Sequence, residues 1–176
     1  MKIILETDRL TLREFILSDA KAMFELNADP EVVKYTGDAP FRSEKEAESF
    51  LINYTDYQIN GYGRWAMVTK SDKEFIGWCG LKLNEESQID LGFRIFRKYW
   101  NKGFASEAAK ACLDYGFNHL GFEKIIGRVV NANIASIKVL EKLGMKFWKN
   151  DTCHGFENAR YYQITNNEYK LQDKRG

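Results

Sequence analysis

The segment from Ile89 to Glu107, IDLGFRIFRKYWNKGFASE, constrains this chain more than any other. An apolar alternation over Ile89–Phe96 predicts a strand. The strand feeds a loop containing Gly103, and Ala105, Ser106 and Glu107 open a helix behind it. Small residues let a backbone approach a ligand closely, and the first amides of a helix have no intrahelical partner. Added to the helix dipole, those amides make an anion site suited to a pyrophosphate. Arg97, Lys98 and Lys102 stand beside it and offer further positive charge. By itself the stretch fits an ordinary helix start with a solvated basic loop equally well. Gly92, inside the strand, marks either a packing position or a bulge that frees amides for an extended ligand.

The flanking patterns supply the rest of a mixed α/β domain spanning residues 1–176. Leu10–Phe15 alternates as a strand, and Ser18-Asp19 caps a helix to about Asn27. Ser43-Glu44-Lys45-Glu46 is a capping box opening a helix to about Asn60. Trp65–Thr69, Phe75–Leu83 and Ile89–Phe96 form a meander. A helix follows from about Phe104 to Leu120, then a strand over Ile125–Val130 and a short helix over Ser136–Leu143. Strands near Met145–Lys149 and Arg160–Thr165 come last, with Thr165-x-x-Glu168 starting a final turn. Local strand pairing followed by strand–helix alternation predicts a mixed sheet.

Charge excludes several classes of function. Twenty-six Lys plus Arg balance 25 Asp plus Glu, so no overall field draws in nucleic acid. No apolar run approaches the roughly 18–20 residues of a membrane span, and no secretory leader is legible. Cys79, Cys112 and Cys153 show no CxxC spacing, which suggests a reducing, cytoplasmic setting. Two isolated histidines and scattered cysteines make no metal site, and no metal is expected.

A second informative region is Asn131-Ala132-Asn133-Ile134-Ala135-Ser136, continuing through Val139-Leu140-Glu141-Lys142-Leu143-Gly144-Met145. Alone it reads as a helix with Asn133 or Ser136 as its cap and Gly144 as its stop. Together with Tyr99-Trp100-Asn101-Lys102-Gly103-Phe104-Ala105-Ser106-Glu107-Ala108 it resembles the two signatures of the GNAT N-acetyltransferases. The opening Thr7-Asp8-Arg9-Leu10-Thr11-Leu12-Arg13, followed by Ser18-Asp19-Ala20, resembles the RimJ/RimL branch, which acetylates ribosomal-protein N-termini and many other amines.

The resemblance implies a GNAT fold: a mostly antiparallel sheet of about seven strands, splayed between the fourth and fifth and flanked by helices. It also implies acetyl-CoA as cosubstrate. The superfamily loop reads Q/R-x-x-G-x-G/A, matched here by Trp100, Gly103 and Ala105. Trp in the first position departs from the superfamily but is usual in this branch, whereas Asn101 stands where the branch often has glycine. Amides of about Asn101, Lys102, Gly103, Phe104, Ala105 and Ser106 would hold the pyrophosphate. Backbone groups of Phe93 and Ile95 would hold the pantetheine arm, and Asn133 would sit near its amide or thiol end. The tyrosine that serves many relatives as general acid falls at Leu140, and the resemblance implies Ser136 as this branch's replacement for protonating the thiolate.

The acceptor implied is a primary amine, on a small molecule or a protein N-terminus. Deprotonation depends on the substrate: an α-amine titrates near about 7.7–8.0 and is already partly neutral at physiological pH, whereas a lysine-like amine near about 10.4 needs more help. Asp90 and Glu14 are the candidate bases, directly or through water; each also fits a solvated or salt-bridged role. His119 reads as a helix C-terminal partner and His154 as a polar loop residue. Substrate choice should lie in the first helix, the 29–42 loop and residues 150–160, with Tyr35, Phe41, Trp65 and Trp78 as an aromatic wall. The rival reading is an acyl-CoA-binding sensor or scaffold without turnover. Oligomeric state, including a homodimer, is not legible.

Overall fold

In the computed structural model, which describes residues 1–173, one sheet runs through the whole molecule. Its strands are β1 (Ile3–Glu6), β2 (Leu10–Arg13), β3 (Arg64–Thr69), β4 (Phe75–Leu83), β5 (Ile89–Ile95), β6 (Lys124–Val130), β7 (Lys146–Cys153) and β8 (Phe156–Thr165). They lie in the order β1-β2-β3-β4-β5-β6-β8-β7. The sheet thus has eight strands rather than seven. The extra one, β1, is four residues long and pairs with β2 through an irregular register. So short an edge strand shows too little alternation to be recognised in advance.

All neighbours are antiparallel except β5 and β6. β4 and β5 pair along their length, from Gly77↔Ile95 to Leu83↔Ile89. β5 and β6, by contrast, meet only at Asp90↔Ile126 and then diverge. This is the splay expected after the fourth anticipated strand. It leaves the C-terminal half of β5 with an open backbone edge.

The helices are α1 (Ala20–Ala28), α2 (Pro30–Val33), α3 (Glu44–Ile52), α4 (Asp56–Asn60), α5 (Phe104–Asn118), α6 (Ile134–Lys142) and α7 (Asn166–Asp173). α5 lies against β4 and β5 and buries Ala108, Ala109, Cys112, Leu113, Gly116 and Phe117. Its small residues allow the close approach. A Cβ on Gly116 would stand 2.8 Å from the Ile125 and Leu81 methyls. A second apolar cluster, built on Met23, Leu26, Val32 and Ala47, joins α1 and α3 to Trp78 and Phe75 of β4.

The helix anticipated from Ser43 to Asn60 is two helices. After Asn53 the chain turns, and Tyr54 and Tyr57 clasp the first residue of β3. The Tyr54 hydroxyl accepts from the Arg64 amide at 2.6 Å, and the Tyr57 hydroxyl donates to the Arg64 carbonyl. Burial raises both phenols above their ordinary range. The predicted final turn is α7, opened by reciprocal Thr165–Glu168 hydrogen bonds.

Candidate functional site

The loop singled out by the sequence is stabilised from both ends. Asn101 (φ 59°) and Gly103 (φ 81°) are left-handed, and Gly103 caps α5. Asn tolerates that conformation better than most residues with a Cβ, so the turn forms without a second glycine. The first intrahelical bond runs from the Glu107 amide to the Gly103 carbonyl. The amides of Phe104, Ala105 and Ser106 therefore lie ahead of the helical ladder, free for an anion. Trp100, the position that departs from the superfamily signature, donates its indole N–H to the Ile95 carbonyl at 2.9 Å and ties the loop to β5.

Glu107 locks the loop from behind. Its carboxylate accepts from the Thr7 hydroxyl (2.5 Å), the Arg9 amide (3.0 Å) and Arg9 Nε (2.6 Å). Arg9 also donates to the Lys102 carbonyl at 3.0 Å and covers the Phe104 ring at 4.2 Å. Burial works against the charge on Glu107, but the bonds from Thr7 and Arg9 hold its carboxyl below the usual range. This gives the opening Thr7-x-Arg9 motif a job: it anchors the start of α5 across a separation of about a hundred residues. The second half of that motif, Arg13, forms a buried two-point pair with Asp19 at 2.7 Å and fixes the entry to α1.

A groove of about 560 Å³ opens in front of this loop. Phe93, Ile95, Asn101, Gly103, Phe104, Ala105, Ser106, Asn133 and Ser136 all line it, so most residues named from the sequence converge here. The Phe96 amide bonds to Ile76 of β4 at 3.0 Å. By the alternation of an antiparallel ladder, the amides of Ile95 and Phe93 then point to the open edge. The Ile95 carbonyl is taken by Trp100, so β5 offers mainly donors there.

The expected cations stand elsewhere. Arg97 pairs with Asp29 at 3.2 Å, Lys98 pairs with Glu74, and the Lys102 ammonium lies over the Tyr99 ring at 5.4 Å. None lines the groove; Lys34, Lys138 and Lys142 do. Lys138 and Lys142 are one helical turn apart on α6, a spacing whose meaning depends on knowing which face looks inward.

A second cavity, of about 1080 Å³, borders the groove and shares Tyr35, Thr36, Phe93, Arg94, Asn133 and Ser136 with it. Its walls come from α1, the 35–41 loop, α3, β4, β5, β6 and the β7–β8 turn. Tyr35, Phe41 and Trp78 belong to it as expected. Trp65 does not: it is 1% exposed and packs edge-on against Tyr115 in the core. Arg94 and Arg64 lie over Trp78 at 5.2 and 5.4 Å. The β7–β8 turn meets the 35–41 loop where the His154 carbonyl packs on Gly37; a Cβ there would stand only 2.4 Å away. His154 thus lines the cavity, while His119 caps α5 and stacks on Tyr115 at 5.1 Å.

Ser136 stands at the junction. The helix cap is Asn133, whose Oδ1 accepts from the Ser136 amide at 3.2 Å, so capping does not occupy the Ser136 hydroxyl. That hydroxyl makes no hydrogen bond among the described residues. Leu140 is 2% exposed and packs on Gly127, with no group able to donate a proton.

The two candidate bases are both engaged. Glu14, just after β2, lines neither cavity and pairs with Lys2 at 3.2 Å. Asp90 lines the large cavity, but it is 6% exposed and held by Arg128 at 3.1 Å and Arg64 at 3.4 Å. Sequence reasoning missed Arg64, Arg94 and Arg128, because a charged residue in a strand ordinarily reads as solvent-facing. Among the described residues no group of three His, Cys, Asp or Glu side chains converges on a metal position, and no helix is long and apolar enough to cross a membrane.

Residues 9–146 match the acetyltransferase (GNAT) domain. The uncharacterized N-acetyltransferase p20 of Bacillus licheniformis is 35% identical over 159 residues, covering 89% of this chain and 88% of that protein. The crystal structure of a GNAT-family acetyltransferase from Bacillus anthracis superposes with a TM-score of 0.78 at 31% identity, covering 96% of this chain and all of that one. Spermidine N-acetyltransferase from Vibrio cholerae, solved with CoA and spermine, shares the fold at a TM-score of 0.78 and 23% identity, over 93% of this chain and 99% of that one.

Proposed function

The chain belongs to the GNAT family of acetyl-CoA-dependent N-acetyltransferases, and from that premise we propose that it acetylates a primary amine where its two cavities meet. The acceptor is a small-molecule amine or a protein N-terminus. The observation that carries this reading is the shared lining: Phe93, Asn133 and Ser136 belong to both cavities. A thioester lying in the groove would present its carbonyl to an amine in the larger cavity at those residues.

The groove residues fit acetyl-CoA. The free amides of Phe104, Ala105 and Ser106 suit a pyrophosphate, and the outward amides of β5 suit a chain of amide carbonyls. When bound, acetyl-CoA supplies an activated acyl group on a thiol that leaves readily. The amine attacks the acyl carbon, a C–N bond forms, and the C–S bond breaks. The ammonium proton is lost to solvent, and Ser136 donates a proton to the departing sulfur and takes one back from solvent. An outward amide on Phe93–Ile95 stabilises the oxyanion. Juxtaposition itself is worth roughly 7–11 kcal/mol in effective molarity. With Asp90 and Glu14 both engaged, the best-suited acceptor is an amine already partly neutral at physiological pH, such as an α-amine near about 7.7–8.0. The buried free thiols Cys79, Cys112 and Cys153 fit a cytoplasmic setting, and the Thr7-x-Arg9 anchor fits the RimJ/RimL branch.

The test is thiol release from acetyl-CoA with a panel of amines: spermidine, amino acids, an amino sugar and a peptide with a free N-terminus. Saturable turnover with at least one amine supports the proposal. Tight CoA binding with no turnover on any of them favours a sensor or scaffold instead.

A further inference from the structure

Asp90 lies where the two halves of the sheet part. It makes the single Cα pairing with β6, opposite Ile126. Its carboxylate touches Arg128, on β6, and Arg64, on β3, so one buried group ties a strand from each half. Arg64 reaches it across the bare Cα of Gly92, where a Cβ would stand 2.6 Å from Nη2. The β4–β5 register is regular at Gly80↔Gly92, so Gly92 makes room for a guanidinium rather than forming a bulge. Arg64 also donates to the Gly80 carbonyl and, at 2.8 Å, to the Asp90 carbonyl. Arg128 donates in turn to Glu85 at 2.5 Å. Burial works against the Arg128 charge, but Asp90 and Glu85 more than offset it and raise its pKa. The other titrating groups facing this cluster include Tyr161 and Cys153 beside Arg128, Glu86 and His154 beyond Glu85, and Tyr54 and Cys112 beside Arg64; burial pushes the Cys153 thiol up to about 11 and the Tyr161 phenol up to about 12.

Asp90 is three residues before Phe93, about 10 Å along an extended strand. It is therefore remote from the point where the cavities meet. Beyond Asp90↔Ile126 no backbone ladder fixes the distance between β5 and β6. Side chains do that work.

We propose that Asp90 is a positioning residue: with Arg64 and Arg128 it sets how far β5 and β6 open, and so the width of the slot that receives the thioester arm. The inference rests on the reading that acetyl-CoA enters that slot. Neutralising Asp90 leaves Arg64 without a carboxylate and Arg128 with Glu85 alone. Two buried guanidiniums then repel across the joint.

The experiment begins with the unaltered protein: CoA binding by calorimetry and thiol release with an accepted amine. Failure there removes the proposed function and leaves Asp90 out of question. Asp90→Asn is then expected to weaken acetyl-CoA binding about tenfold, as a small displacement of the slot would. The limbs of its pH–rate profile should not move. Asp90→Asn with Arg128→Gln, which removes the charge imbalance, should recover most of the affinity. Arg128→Lys keeps the charge but loses the planar fork and should show the same loss on a smaller scale; it decides the matter if Asp90→Asn does not fold. A loss of turnover of about 10²–10⁴-fold with unchanged affinity and a vanished acidic limb would identify Asp90 as a base and overturn the proposal. A lowered melting temperature with unchanged affinity and rates in all three variants would overturn it as well.

Discussion

The groove proposed for the cofactor and the cavity proposed for the acceptor share a border but are built in opposite ways. The groove is made largely of backbone: left-handed Asn101 and Gly103, the free amides of Phe104–Ser106, and the open edge of β5. It comes from three short segments, residues 31–36, 93–106 and 132–142, with Thr7 and Arg9 holding the loop from outside and Trp100 tying it to β5. The acceptor cavity is made of side chains drawn from positions as far apart as Phe15 and His154. Its charged groups are mostly paired with one another. Asp38 holds Arg94, and Asp90 and Glu85 hold Arg128. A backbone site tolerates exchange of side chains and recognises one invariant ligand. A side-chain site changes its preference whenever its lining changes.

The sharpest way to break this contrast is Gly103→Glu. It places a side chain on a residue at φ 81° and a negative charge at the head of α5. CoA binding should fall below detection by calorimetry, more than about 100-fold, in a variant whose circular dichroism is unchanged. Gly103→Asn, which tolerates the left-handed region, should lose far less. Lys102→Ala should bind nearly as the parent does, because that side chain lies over Tyr99. If Lys102→Ala matched Gly103→Glu, the groove would be a side-chain site after all.

Next in size is the pair at the border. Ser136→Ala should lower turnover toward the smaller end of about 10²–10⁴-fold, with CoA affinity and melting temperature nearly unchanged. Asn133→Ala should instead cost about 0.5–2 kcal/mol of stability, because Asn133 is the cap. Normal turnover in Ser136→Ala would remove the acid from the mechanism.

These expectations also mark what was readable in advance. Where a feature is carried by local backbone geometry, pattern is enough: the Gly103 turn, the α5 start and the Asn133–Ser136 turn were all legible. The splay was legible through resemblance, and its cause, a single pairing at Asp90, was not. Pairing across β5 and β6 depends on partners far apart in sequence. For the same reason Asp90 stayed open between a base and a salt-bridged residue and Trp65 read as a cavity wall, while Lys102 read as a phosphate partner. A distant neighbour decides two of these, Arg128 for Asp90 and Tyr115 for Trp65; for Lys102 it is the nearby Tyr99 ring. The break before α4 was missed because the apolar spacing continues through it, while Tyr54 and Tyr57 are claimed by β3.

The smallest effect supplies a control that lines neither cavity. Glu168 accepts from Lys146 and Thr165, and those bonds hold its carboxyl down to about 2. Its folded pKa is lower than the unfolded value, so its stabilisation is complete above about pH 4.3 and is lost as pH falls toward about 2. Glu168→Gln should lower the melting temperature by a few degrees at pH 7, by a shrinking amount below about pH 4, and leave both substrates' KM unchanged. A changed KM for either substrate would mean that α7 communicates with the site.

The central claim is that acetyl transfer occurs where the two cavities meet, and a crystal structure of the chain with CoA tests it most directly. The account predicts the pyrophosphate on the amides of Phe104–Ser106, the pantetheine arm along the open edge of β5, and the sulfur within about 4 Å of the Ser136 hydroxyl, facing the larger cavity. A sulfur lying away from Ser136, or a pyrophosphate held by Arg97, Lys98 and Lys102 instead of the loop amides, would contradict it.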